Sequence, residues 1–205
     1  KLSEGSPVIV EWNNKSGLIF RKKIELDKKF LFRITQEIQN NSNKKVELHP
    51  YAQITRNQKP VIDARSMSGT LILHDGFIGV FNEDLKEYDY DDIQDKKYGK
   101  EHNADDGWLG ITDKYWITAL VPEKNQSFKG EFIYKSNSFK TNYILNKPVV
   151  IQPSSSKTSE TRIFVAAKEV KVMDGYAESE SINKFDLTID WGWLYFLTKP
   201  LFFII

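Results

Sequence analysis

Three histidines, His49, His74 and His102, are the first candidates for chemistry, because imidazole serves both as general base and as metal ligand. They fall in a strand-like stretch, a turn and a loop. No two stand at the spacing of a metal-binding pair, so neither a metal site nor a cofactor is expected. The carboxylates Asp84, Glu87, Asp89, Asp91, Asp92 and Asp95 invite a calcium reading. The run lacks the glycine and closing glutamate of a calcium loop, and reads as a solvated surface segment. Ser154, Ser155 and Ser156 have no neighbouring motif that would activate a hydroxyl, and no glycine-rich phosphate cradle occurs. There is no cysteine, which removes thiolate sites, cysteine nucleophiles and disulfides together. The expectation is a protein that catalyses nothing.

Two stretches are more informative. From Asp106 to Pro122, Trp108, Tyr115 and Trp116 crowd together between glycines and a proline. They read either as aromatics of a core strand or as the lining of a cleft of the kind that takes sugars or apolar peptides. Alternation along a strand sends Tyr115 and Trp116 to opposite faces, so at most one of those two is deep in a core. In the last fifteen residues, Trp191–Ile205, only Gly192, Thr198 and Lys199 interrupt an apolar run. Fifteen residues are short of the ~20 a helix needs to cross a bilayer. Wound as a helix, Trp193, Leu194, Phe196, Leu197, Pro200 and Leu201 cover most of one side; Tyr195, Thr198 and Lys199 gather on the other, and Phe202 intrudes among them. Trp191, Trp193 and Tyr195 suit the lipid headgroup level. The tail is therefore expected to lie in a membrane interface, with Lys199 at the headgroups and Pro200 bending the helix. The alternative is a helix of the domain's own core.

The elements that position these residues are mostly strands. Val46, Leu48, Pro50, Ala52 and Ile54 alternate with Glu47, His49, Tyr51, Gln53 and Thr55, and Phe30, Phe32 and Ile34 likewise alternate with Leu31, Arg33 and Thr35. Such strands bury one face and wet the other, as antiparallel sheets do. Further strands are predicted at 7–12, 18–26, 70–80, 115–121, 127–135, 139–145, 149–151 and 161–167. Polar or glycine-bearing turns separate them, at 13–17, 40–43, 74–76 and 154–156. A short helix is predicted over 169–176, with helix confined mainly to the region after Lys168. Two facing antiparallel sheets follow from many strands and short turns. Over 205 residues, 29 basic and 28 acidic side chains leave a net charge of +1, which offers nothing to a nucleic acid. The first residues carry no starting Met and the apolar tail ends abruptly, so the chain is expected to be a piece of a longer protein.

Three motifs then carry a resemblance. Gly107-Trp108 followed by Lys114-Tyr115-Trp116 and Ala119-Leu120-Val121-Pro122 is similar to a pattern of the YidC-type membrane protein insertases. Lys147-Pro148-Val149-Val150-Ile151-Gln152-Pro153 resembles the strand before that domain's last hairpin. Leu187-Thr188-Ile189-Asp190-Trp191-Gly192-Trp193-Leu194-Tyr195-Phe196, with Lys199-Pro200-Leu201-Phe202, resembles the family's junction to its next membrane helix. The resemblance implies an all-β supersandwich, similar to galactose-mutarotase-like domains, over 1–185 and an interfacial helix over 186–205. It places the domain on the periplasmic side of a Gram-negative inner membrane. It also implies nascent membrane proteins and Sec translocon components (SecDF, SecYEG) as partners, with the insertase core outside this chain. A carbohydrate-binding or sugar-epimerase-like domain is the alternative, and would need a His and a Glu converging in one cleft.

Overall fold

A computed structural model describes residues 1–59, 74–95, 99–191 and 195–204. Fourteen strands are present among them: β1 Val8–Asn13, β2 Leu18–Leu26, β3 Leu31–Asn40, β4 Val46–Leu48, β5 Tyr51–Arg56, β6 Gly76–Phe81 and β7 Asp84–Asp89, then β8 Lys100–Ala104, β9 Gly107–Thr112, β10 Trp116–Val121, β11 Phe128–Lys135, β12 Ser138–Leu145, β13 Val149–Ile151 and β14 Ser155–Ala167. Helices are α1 Tyr90–Gln94, α2 Val170–Ser179 and α3 Tyr195–Ile204, with a 3-10 turn at Phe185–Thr188. The large sheet runs β1-β2-β3-β14-β10-β9-β6-β7, the small one β5-β12-β11-β8, and β13 pairs with β4. All these ladders are antiparallel.

The large sheet is the middle layer. Its inner face packs Phe77, Phe81, Leu109, Ile111 and Leu120 against Phe128, Phe132 and Tyr143 of the small sheet. Its outer face packs Trp108, Ala119, Phe164 and Leu31 against Met173 and Tyr176 of α2 and against Phe185. Central strands are therefore dry on both sides: all six residues of β6 and of β9 are buried. The alternating pattern expected from sequence is lost there but kept in the small sheet, where β5, β11 and β12 bury every second residue more deeply.

The structure refines several expectations in detail. The alternation from Val46 to Ile54 survives in burial, but the segment is two strands in two sheets. Pro50 has no N–H to give a ladder and restricts His49 before it, so pairing breaks there; the Pro50 carbonyl instead accepts from Leu145 N at 3.0 Å. The acidic stretch is ordered as β7 and α1, with Tyr90 and Ile93 buried while the carboxylates point outward. Helix α1 also lies well before Lys168. Strand β14 is nearly twice as long as predicted, because Ser155–Glu160 pairs fully with β3 despite its polar composition. Of the strand expected over 70–80, residues 70–73 lie outside the described residues.

Candidate functional site

Strand β14 ends at Ala167, and the chain turns into α2 through Lys168. Lys168 N donates to Tyr115 O at 2.8 Å, and its Nζ donates to Thr112 Oγ1 at 3.0 Å. Burial pushes the Lys168 ammonium below the usual lysine range, against the pull of Asp75, Asp190 and Asp113. Asp113 is held by Arg56 in a two-toothed ion pair, at 2.7 and 2.8 Å. Asp190 accepts from His74 N at 3.3 Å. The last residues before the tail are thus tied to the end of the large sheet where β6, β10 and β3 begin and β9 and β14 finish.

The tail continues as α3. Its one cation does not point away from the domain: Lys199 Nζ lies 2.8 Å from Asp186 Oδ2 and 3.2 Å from Asp174 Oδ1, bridging the 3-10 turn and α2. These carboxylates hold the Lys199 ammonium above the usual range in spite of its burial. On the same side Thr198 Oγ1 donates to Trp191 O at 2.9 Å, and the Trp191 and Phe202 rings meet edge-on at 5.5 Å. The opposite side is bare. Leu197, Leu201 and Ile204 are 49%, 45% and 79% exposed, and Pro200 is exposed between them. These four stand at i, i+3, i+4 and i+7, one stripe of a helix. No described helix is long and apolar enough to cross a membrane. The polar side of the tail faces the domain and the apolar side faces out; the ion pairs of Lys199 are with the protein. Trp193 and Leu194 lie outside the described residues, and Tyr195 and Phe196 are described in their backbone alone.

The aromatic segment divides. Trp108 is fully buried; its Nε1 donates to Asn183 O at 3.0 Å, and its ring meets Phe185 edge-on at 5.4 Å. Tyr115 and Trp116 are 62% and 61% exposed, so neither belongs to a core. They sit at the β9–β10 tip, where the large sheet outruns the layers that cover it. Trp116 edges a shallow cleft with Ile54, Arg56 and Asp113.

The histidines do not converge. His49 Nδ1 is 2.8 Å from Leu145 O, His74 Nε2 is 2.9 Å from Phe77 O, and His102 stacks on Tyr88 with Nε2 3.1 Å from its hydroxyl. A groove of about 230 Å³ beside His49 is lined by Phe20, Ile38, Leu48, Pro50, Tyr51 and Lys157, among others, with no carboxylate in its wall. His74 Nδ1 comes within 3.4 Å of Asp89, a carboxylate 72% exposed on the surface. No group of three or more potential metal ligands occurs among the described residues.

Comparison with known proteins bears on what this arrangement serves. The family model described as the YidC periplasmic domain matches residues 1–204. The chain belongs to that family. Relatives named membrane protein insertase YidC include those of Pelagibacter ubique, 48% identical over the whole chain and 35% of the relative, and Rickettsia akari, 40% identical over 98% of the chain and 36% of the relative. That of Methylorubrum extorquens is 37% identical over 98% of the chain and 34% of the relative. The chain spans about a third of the length of these curated relatives. Among solved structures, the α-galactosidase of Lactobacillus brevis superposes with a TM-score of 0.56 over 84% of this chain and 25% of that one, at 8% identity. The galactosidase domain of an α-galactosidase-sucrose kinase gives 0.55 over 80% of this chain and 24% of that one, also at 8% identity. This likeness concerns fold alone: the YidC periplasmic domain is an all-β supersandwich, as expected. Its relatives carry the name of an insertase, not of a sugar-acting enzyme.

Proposed function

We propose that this periplasmic domain is held at the inner-membrane surface by its own tail, with α3 lying in the interface and joining residues 1–185 to the membrane-embedded remainder of an insertase. The observation that carries the reading is the outward stripe of Leu197, Pro200, Leu201 and Ile204, opposite the inward Lys199. Burying each Leu or Ile side chain in the acyl boundary is worth roughly 1.5–3 kcal/mol, so three suffice for reversible anchoring. Trp191, Trp193 and Tyr195 would stand at headgroup depth.

In the whole protein this reading includes insertion and folding of nascent membrane proteins in a Gram-negative inner membrane, alone or beside the Sec translocon. Docking of SecDF, SecYEG or incoming chains on the domain is proposed from the resemblance alone. The domain itself catalyses no covalent step and needs no cofactor in this reading. Vesicle flotation of the chain tests the anchor: binding survives high salt in the wild type and is lost in Leu197→Ser/Leu201→Ser/Ile204→Ser. Equal flotation of the two proteins would remove the anchor.

A further inference from the structure

The end of the sheet from which the tail leaves carries a second set of exposed aromatics, from segments far apart in sequence. Phe30 is 56% exposed at the start of β3, and Tyr115 and Trp116 are 62% and 61% exposed at the start of β10. Strand β14 lies between them. Val165 N donates to Phe30 O at 3.3 Å, extending the ladder that pairs Phe164 with Leu31. On its other side Ala167 faces Trp116, and Lys168 N bonds Tyr115 O. Two strand spacings across and two residues along put Phe30 and Trp116 roughly 12 Å apart. Val165 between them is itself 42% exposed.

Both displays are held rigidly. Phe30 sits at φ +67°, a left-handed conformation that a bulky side chain rarely adopts. The turn before it is pinned by Asp27, whose Oδ1 accepts from Lys29 N and Leu31 N at 2.9 Å and whose Oδ2 accepts from Tyr176 OH of α2 at 2.6 Å. Tyr115 is fixed by its backbone bond to Lys168. Cations accompany each aromatic. Lys28 and Lys29 precede Phe30, with Lys28 80% exposed and 3.5 Å from Glu4. Lys114 Nζ stands 5.0 Å above the Tyr115 ring. Of the nearby carboxylates, Asp27 and Asp113 are engaged by Tyr176 and Arg56, while Glu4 and Glu169 are exposed.

We propose that Phe30, Tyr115 and Trp116, with Lys28, Lys29 and Lys114, form a second membrane-contact rim that seats this end of the sandwich on an anionic lipid surface. Aromatic rings beside lysines match the chemistry of the interface: the rings enter the headgroup layer and the ammonium groups meet lipid phosphates. A single helix leaves a domain free to tilt about it, and a rim on separate strands removes that freedom. The rim rests on observations independent of the apolar stripe of α3. It shares with that reading only the direction in which this end of the molecule faces.

The test is partition of the whole 205-residue chain onto vesicles of phosphatidylcholine, with and without about 30% phosphatidylglycerol. Lys28→Glu/Lys29→Glu/Lys114→Glu lowers partition onto the anionic vesicles at least about tenfold and abolishes its salt dependence, since each surface lysine adds about a factor of five. Phe30→Asn/Tyr115→Ser/Trp116→Ser lowers it by a similar factor. All six side chains are exposed, and Asn tolerates the left-handed conformation at 30, so both variants fold. Quenching by brominated lipid is weaker in Trp116→Phe than in the wild type. Binding of both variants within twofold of the wild type, or equal wild-type binding to neutral and anionic vesicles, overturns the rim whatever the stripe variant does. Loss on the stripe variant alone keeps the anchor and rejects the rim; loss on the rim variants alone does the reverse. A rim that leaves vesicle binding untouched but is needed to capture a polypeptide is a protein-docking site, and the proposal falls.

Discussion

Replacing Lys199 by Met tests whether α3 is a rigid extension of the domain or a loose tether. The substitution keeps the length and apolar stem of the side chain and removes the charge shared by Asp174 and Asp186. Lys199 is 27% exposed and its partners 33% and 31%, so these pairs lie between surface and buried cases. Discounted for that exposure, two such pairs contribute about 0.5–2 kcal/mol to docking of α3. That corresponds to a roughly 2- to 30-fold rise in the undocked population. Amide hydrogen exchange reads this locally: exchange in α3 speeds by that factor while β9 and β10 stay unchanged. The pH dependence has a definite sign. Lys199 titrates above its unfolded value, so its contribution is complete below the ordinary lysine pKa of about 10.4 and is lost as pH rises past it. A loss of α3 protection on alkaline titration, beyond the base catalysis common to all amides, should thus appear in the wild type and vanish in Lys199→Met. Unchanged exchange in α3 at neutral pH would refute the reasoning and show that the helix is held by other contacts.

Three further outcomes follow from packing and titration. Trp108→Ala, which empties a fully buried site and removes the bond to Asn183 O, should cost about 3–5 kcal/mol in urea unfolding, against less than about 0.5 for Trp116→Ala. Gly107→Ala should lower the thermal midpoint clearly, because Gly107 stands at φ +138° and an added Cβ collides with Val80 O. Burial and the nearby Lys86 and Lys100 hold His102 below the usual histidine range. Its contribution is therefore present above about pH 6.5 and lost as pH falls below it, and His102→Gln should flatten the stability slope in that acid range.

What could be read in advance was local. Period-two burial along 46–56, the polar hairpin turns and the apolar tail are properties of neighbouring residues, and their types announce them. The family junction from Leu187 to Phe202 was legible for the same reason, as an ordered string. Partners distant in sequence were not. Nothing in Ser155–Glu160 announces a strand, because its pairing depends on β3 more than a hundred residues earlier. Trp108 and Trp116 share one residue type and one segment, yet one is sealed between β9 and Phe185 and the other stands in solvent. The difference is how far the covering layers extend over the large sheet, which only the packed molecule sets. The orientation of α3 belongs here too. The order of residues alone makes one side of the tail apolar and puts Lys199 on the other. Folding decided that this lysine turns inward, because Asp174 and Asp186 arrive beside it from two other elements and offer a charged group better company than lipid does.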